Sequence, residues 1–249
     1  MAVKPMAVKP FALGLLSMLL APVLLTPAAI ALEFPPPAQS GAGSGSPSSG
    51  TSGGGTRGSS ACITQEDGLS LMALQPIDRK NYIGKTAQKS PTLFFYIPST
   101  TAQRAEFILV DGEGNDVYTE NLEISKEGGL VSIDVELPEL PSDLKSVEYT
   151  WQLILVCNRS DRGADEWVEG QIQQVTLDPE LATKLEAEEN PVEQAQLLAD
   201  AEIWYDSLAI AAQVRTLNPQ SWTSLLKSVG LGKLSETEIL PFQRLTESP

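Results

Sequence analysis

Residues 130–137 read Leu-Val-Ser-Ile-Asp-Val-Glu-Leu, and this octapeptide decides the fold class. Val131, Ile133, Val135 and Leu137 alternate with Ser132, Asp134 and Glu136. A period of two with one apolar face marks a strand packed on one side only. Working outward, comparable segments recur, each bounded by turn residues. A short apolar strand is expected at residues 69–74. Residues 92–97 (TLFFYI) stop at Pro98. Residues 105–110 (AEFILV) run into Asp111-Gly112-Glu113-Gly114-Asn115-Asp116, a hairpin turn, and 117–124 return from it. Residues 147–157 (VEYTWQLILVC) become apolar on both faces, as expected of a central strand. In the last strand, 167–175, Val168 and Ile172 should face inward and Trp167, Glu169, Gln171 and Gln173 outward. Several short strands without intervening helices predict an antiparallel β-sandwich over residues 62–177. It is Ig-like only in the loose sense, because Trp151 lies close to Cys157 rather than midway between the two cysteines.

After Leu177 the apolar period changes from 2 to 3.6, so the fold is α+β, with a small helical part at residues 178–234 packed on the sandwich. Asp178-Pro179 is an N-cap followed by proline at the first helical position, and Leu181, Ala182 and Leu185 give that helix an edge to bury. Asn190-Pro191-Val192-Glu193 repeats the signal with a capping box. The helix it opens is expected to run to about Leu217, with Leu197, Ala201, Trp204, Leu208 and Ala211 along one face. A third helix, 220–229, ends at Gly230. Trp204, Tyr205 and Trp222 read as core. Residues 235–249 remain as a C-terminal tail.

At the other end, residues 1–31 have the three parts of a cleavable signal peptide. Lys4 and Lys9 supply positive charge, residues 11–25 (FALGLLSMLLAPVLL) form an apolar run, and Ala29-Ile30-Ala31 offers the cleavage site. The predicted product starts near Leu32 and works in the periplasm or outside the cell. An uncleaved leader is the one route to a membrane, although the run falls short of the ~20 apolar residues of a span. Residues 32–61 are rich in Pro, Gly and Ser and read as a flexible linker. They contain chance matches to G-x-S-x-G (50–54) and G-x-G-x-x-G (53–58), which lack the strand and helix those motifs require.

Charge and composition narrow the chemistry. Losing Lys4 and Lys9 with the leader leaves 15 basic against 32 acidic residues, a net charge of −17. Such a field repels nucleic acid and favours basic partners or cations. The chain has no histidine, which removes Ser-His-Asp and Cys-His catalysis and histidine-based metal sites. No catalytic residue, cofactor or metal ligand set is expected. Cys62 and Cys157 are the two cysteines, and in an oxidising compartment their simplest state is a disulfide. The acidic loop at 111–116 lacks the EF-hand spacing. The second acidic loop and the strand after it, with Asp161, Arg162, Asp165, Glu166, Trp167 and Glu169, form the candidate interaction surface. Glu166 and Glu169 flank Trp167, so a carboxylate-based glycan hydrolase is an alternative. A structural envelope protein held by its linker is another.

Residues 55–62 (GTRGSSAC), FFYIP at 94–98, WQLILVC at 151–157, Asp161-Arg162-Gly163, Val168-Glu169-Gly170 and IWYDSLA at 203–209 together resemble the cyanobacterial domain-of-unknown-function family 928. The resemblance spans roughly Arg57 to Gly230. It implies a cyanobacterial, exported origin and a partner-binding role, and it carries over no catalytic residue. The expected function is an exported, non-catalytic binding or protein-interaction module of the cell envelope, with another envelope or extracytoplasmic protein as partner.

Overall fold

The computed structural model describes residues 31–37, 52–54, 62–64, 69–77, 79, 81–240 and 243–244. The expected leader therefore lies almost wholly outside the described residues. In chain order the strands are β1 (Ser52–Gly54), β2 (Met72–Ala73), β3 (Ile83–Thr86), β4 (Thr92–Ile97), β5 (Arg104–Val110) and β6 (Asp116–Glu123). They continue with β7 (Gly129–Asp134), β8 (Ser146–Leu155), β9 (Glu166–Val175), β10 (Ile239–Leu240) and β11 (Gln243–Arg244). The helices are α1 (Pro179–Ala187), α2 (Pro191–Asp200), α3 (Trp204–Val214) and α4 (Pro219–Ser228). The fold is α+β.

One sheet runs β1-β9-β8-β5-β6-β11, and β3 shares the outer edge of β9 with β1. The other runs β10-β7-β4-β2. Pairing is antiparallel except that β3 runs parallel to β9 and β10 parallel to β7, so both sheets are mixed. Phe95 of β4 stands edge-on to Phe107 of β5 at 6.1 Å and to Trp151 of β8 at 5.3 Å. These three buried rings seat the inner faces of the sheets against each other. Phe94, on the opposite face of β4, meets Trp222 of α4 at 6.2 Å. Strand β4 is thus covered on both sides, which explains why TLFFYI is apolar throughout rather than alternating.

The alternation holds from 131 to 137, where Val131, Ile133, Val135 and Leu137 are buried and Asp134 and Glu136 exposed, but Leu130 on the other face is buried too and the strand ends at Asp134. Val168 and Ile172 face inward as read. The strand expected at 69–74 shrinks to β2, and β3, too short and mixed to show a period, was not foreseen. Within the expected tail, β10 extends one sheet and β11 the other.

The helix expected from 190 to 217 is two helices. The chain breaks at Ala201-Glu202-Ile203, where Glu202 has φ 61°. The break rotates the apolar stripe: α2 buries Val192, Ala195, Leu198 and Ala199, and Leu197 is only half-buried. Asn190 caps α2 by accepting from the Val192 N–H at 3.0 Å, but Glu188, not Glu193, accepts from the Asn190 N–H. Helix α1 buries no residue fully. The trio Trp204, Tyr205 and Trp222 is core, each 3% exposed or less.

The linker reading also changes at its first residues. Leu32 and Phe34 are buried, and β1 pairs with β9. The alternating Leu-Glu-Phe places two apolar side chains on one side of an extended segment, enough to seat it even in a Pro-rich context.

Candidate functional site

The acidic loop predicted as an interaction surface folds as a braced corner. Asp161 caps a single 3₁₀ turn (Arg162–Ala164), accepting from the Gly163 N–H at 3.2 Å. Arg162 donates to both carboxylate oxygens of Glu106, at 3.2 and 2.7 Å, and through Nε to Asp165 at 2.5 Å. Asp165 also accepts from the Cys157 N–H at 2.9 Å. Donating hydrogen bonds to Glu106 and then to Asp165 pushes the Arg162 guanidinium further toward its charged form. The corner therefore presents a fixed charge pattern beside the cysteine bridge. Cys62 and Cys157 stand at disulfide distance, their Cα atoms 5.3 Å apart, and the structure joins them.

Strand β9 carries the remaining predicted residues but does not converge them. Glu166 and Glu169 are three positions apart on a strand, so they project from opposite faces. Glu169 accepts from the Gln152 amide at 3.2 Å across the ladder to β8. Trp167, half-buried, shares the face of Glu169. The structure does not bring Glu166 and Glu169 together as a hydrolytic pair.

The densest polar chemistry lies elsewhere, under α3, where IWYDSLA contributes one bond after another. The Trp204 indole N–H donates to the Leu74 carbonyl at 2.8 Å. The Tyr205 hydroxyl accepts from the Trp151 indole at 3.1 Å and from the Gln75 amide, and donates to the Gln171 carbonyl at 3.4 Å. Asp206 accepts from the Thr86 hydroxyl at 2.5 Å and from the Ala87 N–H at 2.9 Å. Ser207 donates to the Ala195 carbonyl at 2.8 Å. Four successive side chains thus bind α3 to the β2 region, β8, β9, β3 and α2.

Two glycines make this junction possible. A Cβ on Gly84 would lie 2.8 Å from Tyr205 Cζ, and one on Gly170 would lie 2.9 Å from Trp151 Cε2. The glycine of the Val-Glu-Gly motif is therefore needed for the close approach of a buried indole. Burial pushes the Tyr205 phenol up, against the lowering effect of its donors. Burial likewise pushes the Asp206 carboxyl up to about 6, with Thr86, Ala87 and Gln88 pulling it back.

Gln75, Thr86, Gly84 and Asp206 were not singled out from the sequence as a site. One signal was available: an Asp-Ser pair inside an apolar helix must find partners when buried. Ser207 finds its partner 12 residues back, but Thr86 and Ala87, which hold Asp206, lie 120 and 119 residues away along the chain, where no local pattern reaches. The loop at 111–116 is similarly self-contained, with Asp111 accepting from the Glu113 and Asn115 N–H groups at 2.9 Å each.

Among the described residues, no group of three or more acidic or cysteine side chains is arranged to hold a metal ion, and no helix is long and apolar enough to cross a membrane. A family model described as Domain of Unknown Function (DUF928) matches residues 52–239. No curated protein and no solved structure matches the chain.

Proposed function

Since the chain belongs to the DUF928 family, we propose that it is an exported, non-catalytic protein-interaction module of a cyanobacterial cell envelope, working after loss of its leader near Ala31. The observation that carries this reading is the sealed junction under α3. Tyr205, Asp206 and Gln75 are each 4% exposed or less and are bonded to one another's neighbours. The IWYDSLA segment at 203–209 thus holds helices to sheets rather than facing a substrate. The chain also carries an excess of acidic residues, 32 against 17 basic ones. Fixed charge of one sign favours association with a basic protein surface. The cysteine pairing agrees with an oxidising compartment.

Crosslinking in the native host, followed by mass spectrometry of the captured chain with and without reductant, tests the whole reading. The expected result is a chain beginning at Leu32, 2 Da lighter before reduction from loss of two thiol hydrogens, crosslinked to an envelope or extracytoplasmic protein. An intact leader on a cytosolic chain, or a chain that crosslinks to nothing, would sink it.

A further inference from the structure

Residues 32–36 enter the helical part as an extended peptide enters a receptor. Leu32 and Phe34 are 0% and 2% exposed, while Glu33 between them faces solvent. The Phe34 ring stands edge-on to Trp204 at 5.0 Å, and the Arg79 guanidinium covers it at 4.9 Å. The backbone is gripped separately. Gln196 spends both ends of its amide on one residue: Oε1 accepts from the Glu33 N–H at 3.0 Å, and Nε2 donates to the Glu33 carbonyl at 3.0 Å. Ser228 accepts from the Phe34 N–H at 2.9 Å, and Arg79 donates to the Pro35 carbonyl at 2.5 Å. Main-chain hydrogen bonds for affinity and pockets at alternate side chains for selectivity are the means by which extended peptides are recognised.

The gripping groups are also held by the helical part itself. Ser228 donates to the Leu225 carbonyl at 2.7 Å, Gln196 donates to Asp200 at 2.7 Å, and Arg79 pairs with Glu202 at 2.7 Å. Each is thus tied to a residue outside the segment, which lowers the ordering cost of binding. The groove continues past the segment. An open furrow of about 490 Å³ borders Phe34 and Pro36, and at Ser224 and Lys227 it meets a second of about 300 Å³ on the outer side of α4.

We propose that this groove is a binding site for an extended partner segment in which an aliphatic and an aromatic residue stand two apart and proline follows, and that residues 32–36 occupy it in cis as a built-in competitor. This rests on the interaction-module reading and gives it a site. Cleavage after Ala31 makes Leu32 the first residue of the competitor. A segment carried on the same chain competes at an effective concentration of about a millimolar, so a partner must exceed that threshold to displace it.

The test uses the chain of residues 32–249 with a protease sequence inserted within residues 38–51. The probe is the peptide Leu-Glu-Phe-Pro-Pro-Pro carrying fluorescein at its C-terminus, followed by anisotropy. The nicked chain is expected to release its own N-terminal fragment, stay folded by circular dichroism and bind the probe saturably. The intact chain should bind at least about tenfold more weakly. Alanine at the phenylalanine of the probe, or Gln196→Ala in the nicked chain, should weaken binding at least about tenfold. No binding to the nicked chain, equal binding to intact and nicked chains, or unfolding when the fragment leaves would overturn the proposal. If it fails while host crosslinks map to the β-sheet surfaces, the groove falls and the interaction reading stands.

Discussion

Replacing Asp206 with asparagine should change how stability responds to acid, and the size of the change follows from burial. The carboxyl is 4% exposed and is raised from 3.8 to about 6, chiefly because burial disfavours its charged form. The folded state therefore binds a proton that the unfolded chain releases across this interval. Asp206 contributes its stability fully below about pH 3.8, loses it progressively as pH rises toward 6, and contributes nothing further above that. A raise of about two units corresponds to roughly 3 kcal/mol between the two ends of the window. Two other carboxyls act in the opposite direction. Asp111 is held low by its bonds with Asn115, and Glu202 is held low by the Arg79 hydrogen bond. Their contributions are present at neutral pH and lost as pH falls, so the wild-type profile alone mixes both signs. The difference between wild type and Asp206→Asn cancels them. Urea unfolding at half-unit steps from pH 3.5 to 7.5 should show that difference shifting in favour of the wild type as pH falls from about 6 to 4, by roughly 3 kcal/mol in total. The offset at any single pH also contains a bond lost when the asparagine amide faces the Ala87 N–H, but that offset does not titrate. A difference curve flat across the window, or one rising with pH, would refute the reasoning.

Three further outcomes are open to the same denaturation assay. Reducing the Cys62–Cys157 pair, which closes a loop with a sequence separation of 95, should lower stability by about 4–5 kcal/mol in the chain-entropy model, and an unchanged urea midpoint would contradict it. Gly170→Ala should cost about 1–3 kcal/mol through overpacking against Trp151 and shift indole fluorescence, whereas wild-type stability and emission would show that the indole has room to move. Arg162→Ala should cost less than about 1 kcal/mol, since the guanidinium is half exposed. Asp165→Ala should cost more, because Cys157 loses the acceptor for its N–H; the reverse ranking would mean that the ion pair, not the turn, holds the corner.

The candidate sites were legible to different depths. The acidic corner was visible as a cluster at residues 161–169, but its meaning was not. Glu106, the residue that fastens Arg162, sits 56 positions earlier, so the cluster read as free surface until the fold closed it. The junction under α3 announced itself only through the Asp-Ser pair in an apolar helix. The groove for residues 32–36 was hidden altogether, because a Pro- and Ser-rich stretch has the composition of a linker and its two buried side chains form no run long enough to show a period.

The local order of the chain settled much by itself. Alternation at 130–137, the turn at 111–116, Asp178-Pro179 and Asn190-Pro191 specify strands, a hairpin and helix starts, because these depend on backbone preferences within a few residues. The two cysteines and the missing histidine bounded the chemistry in the same way. Only the tertiary structure decided which edge of β9 receives β3, where the long helix breaks, and what Tyr205 and Asp206 hold. Those outcomes come from pairing and packing between residues from 34 to 130 positions apart, and a buried polar group takes whichever partner the fold brings within reach.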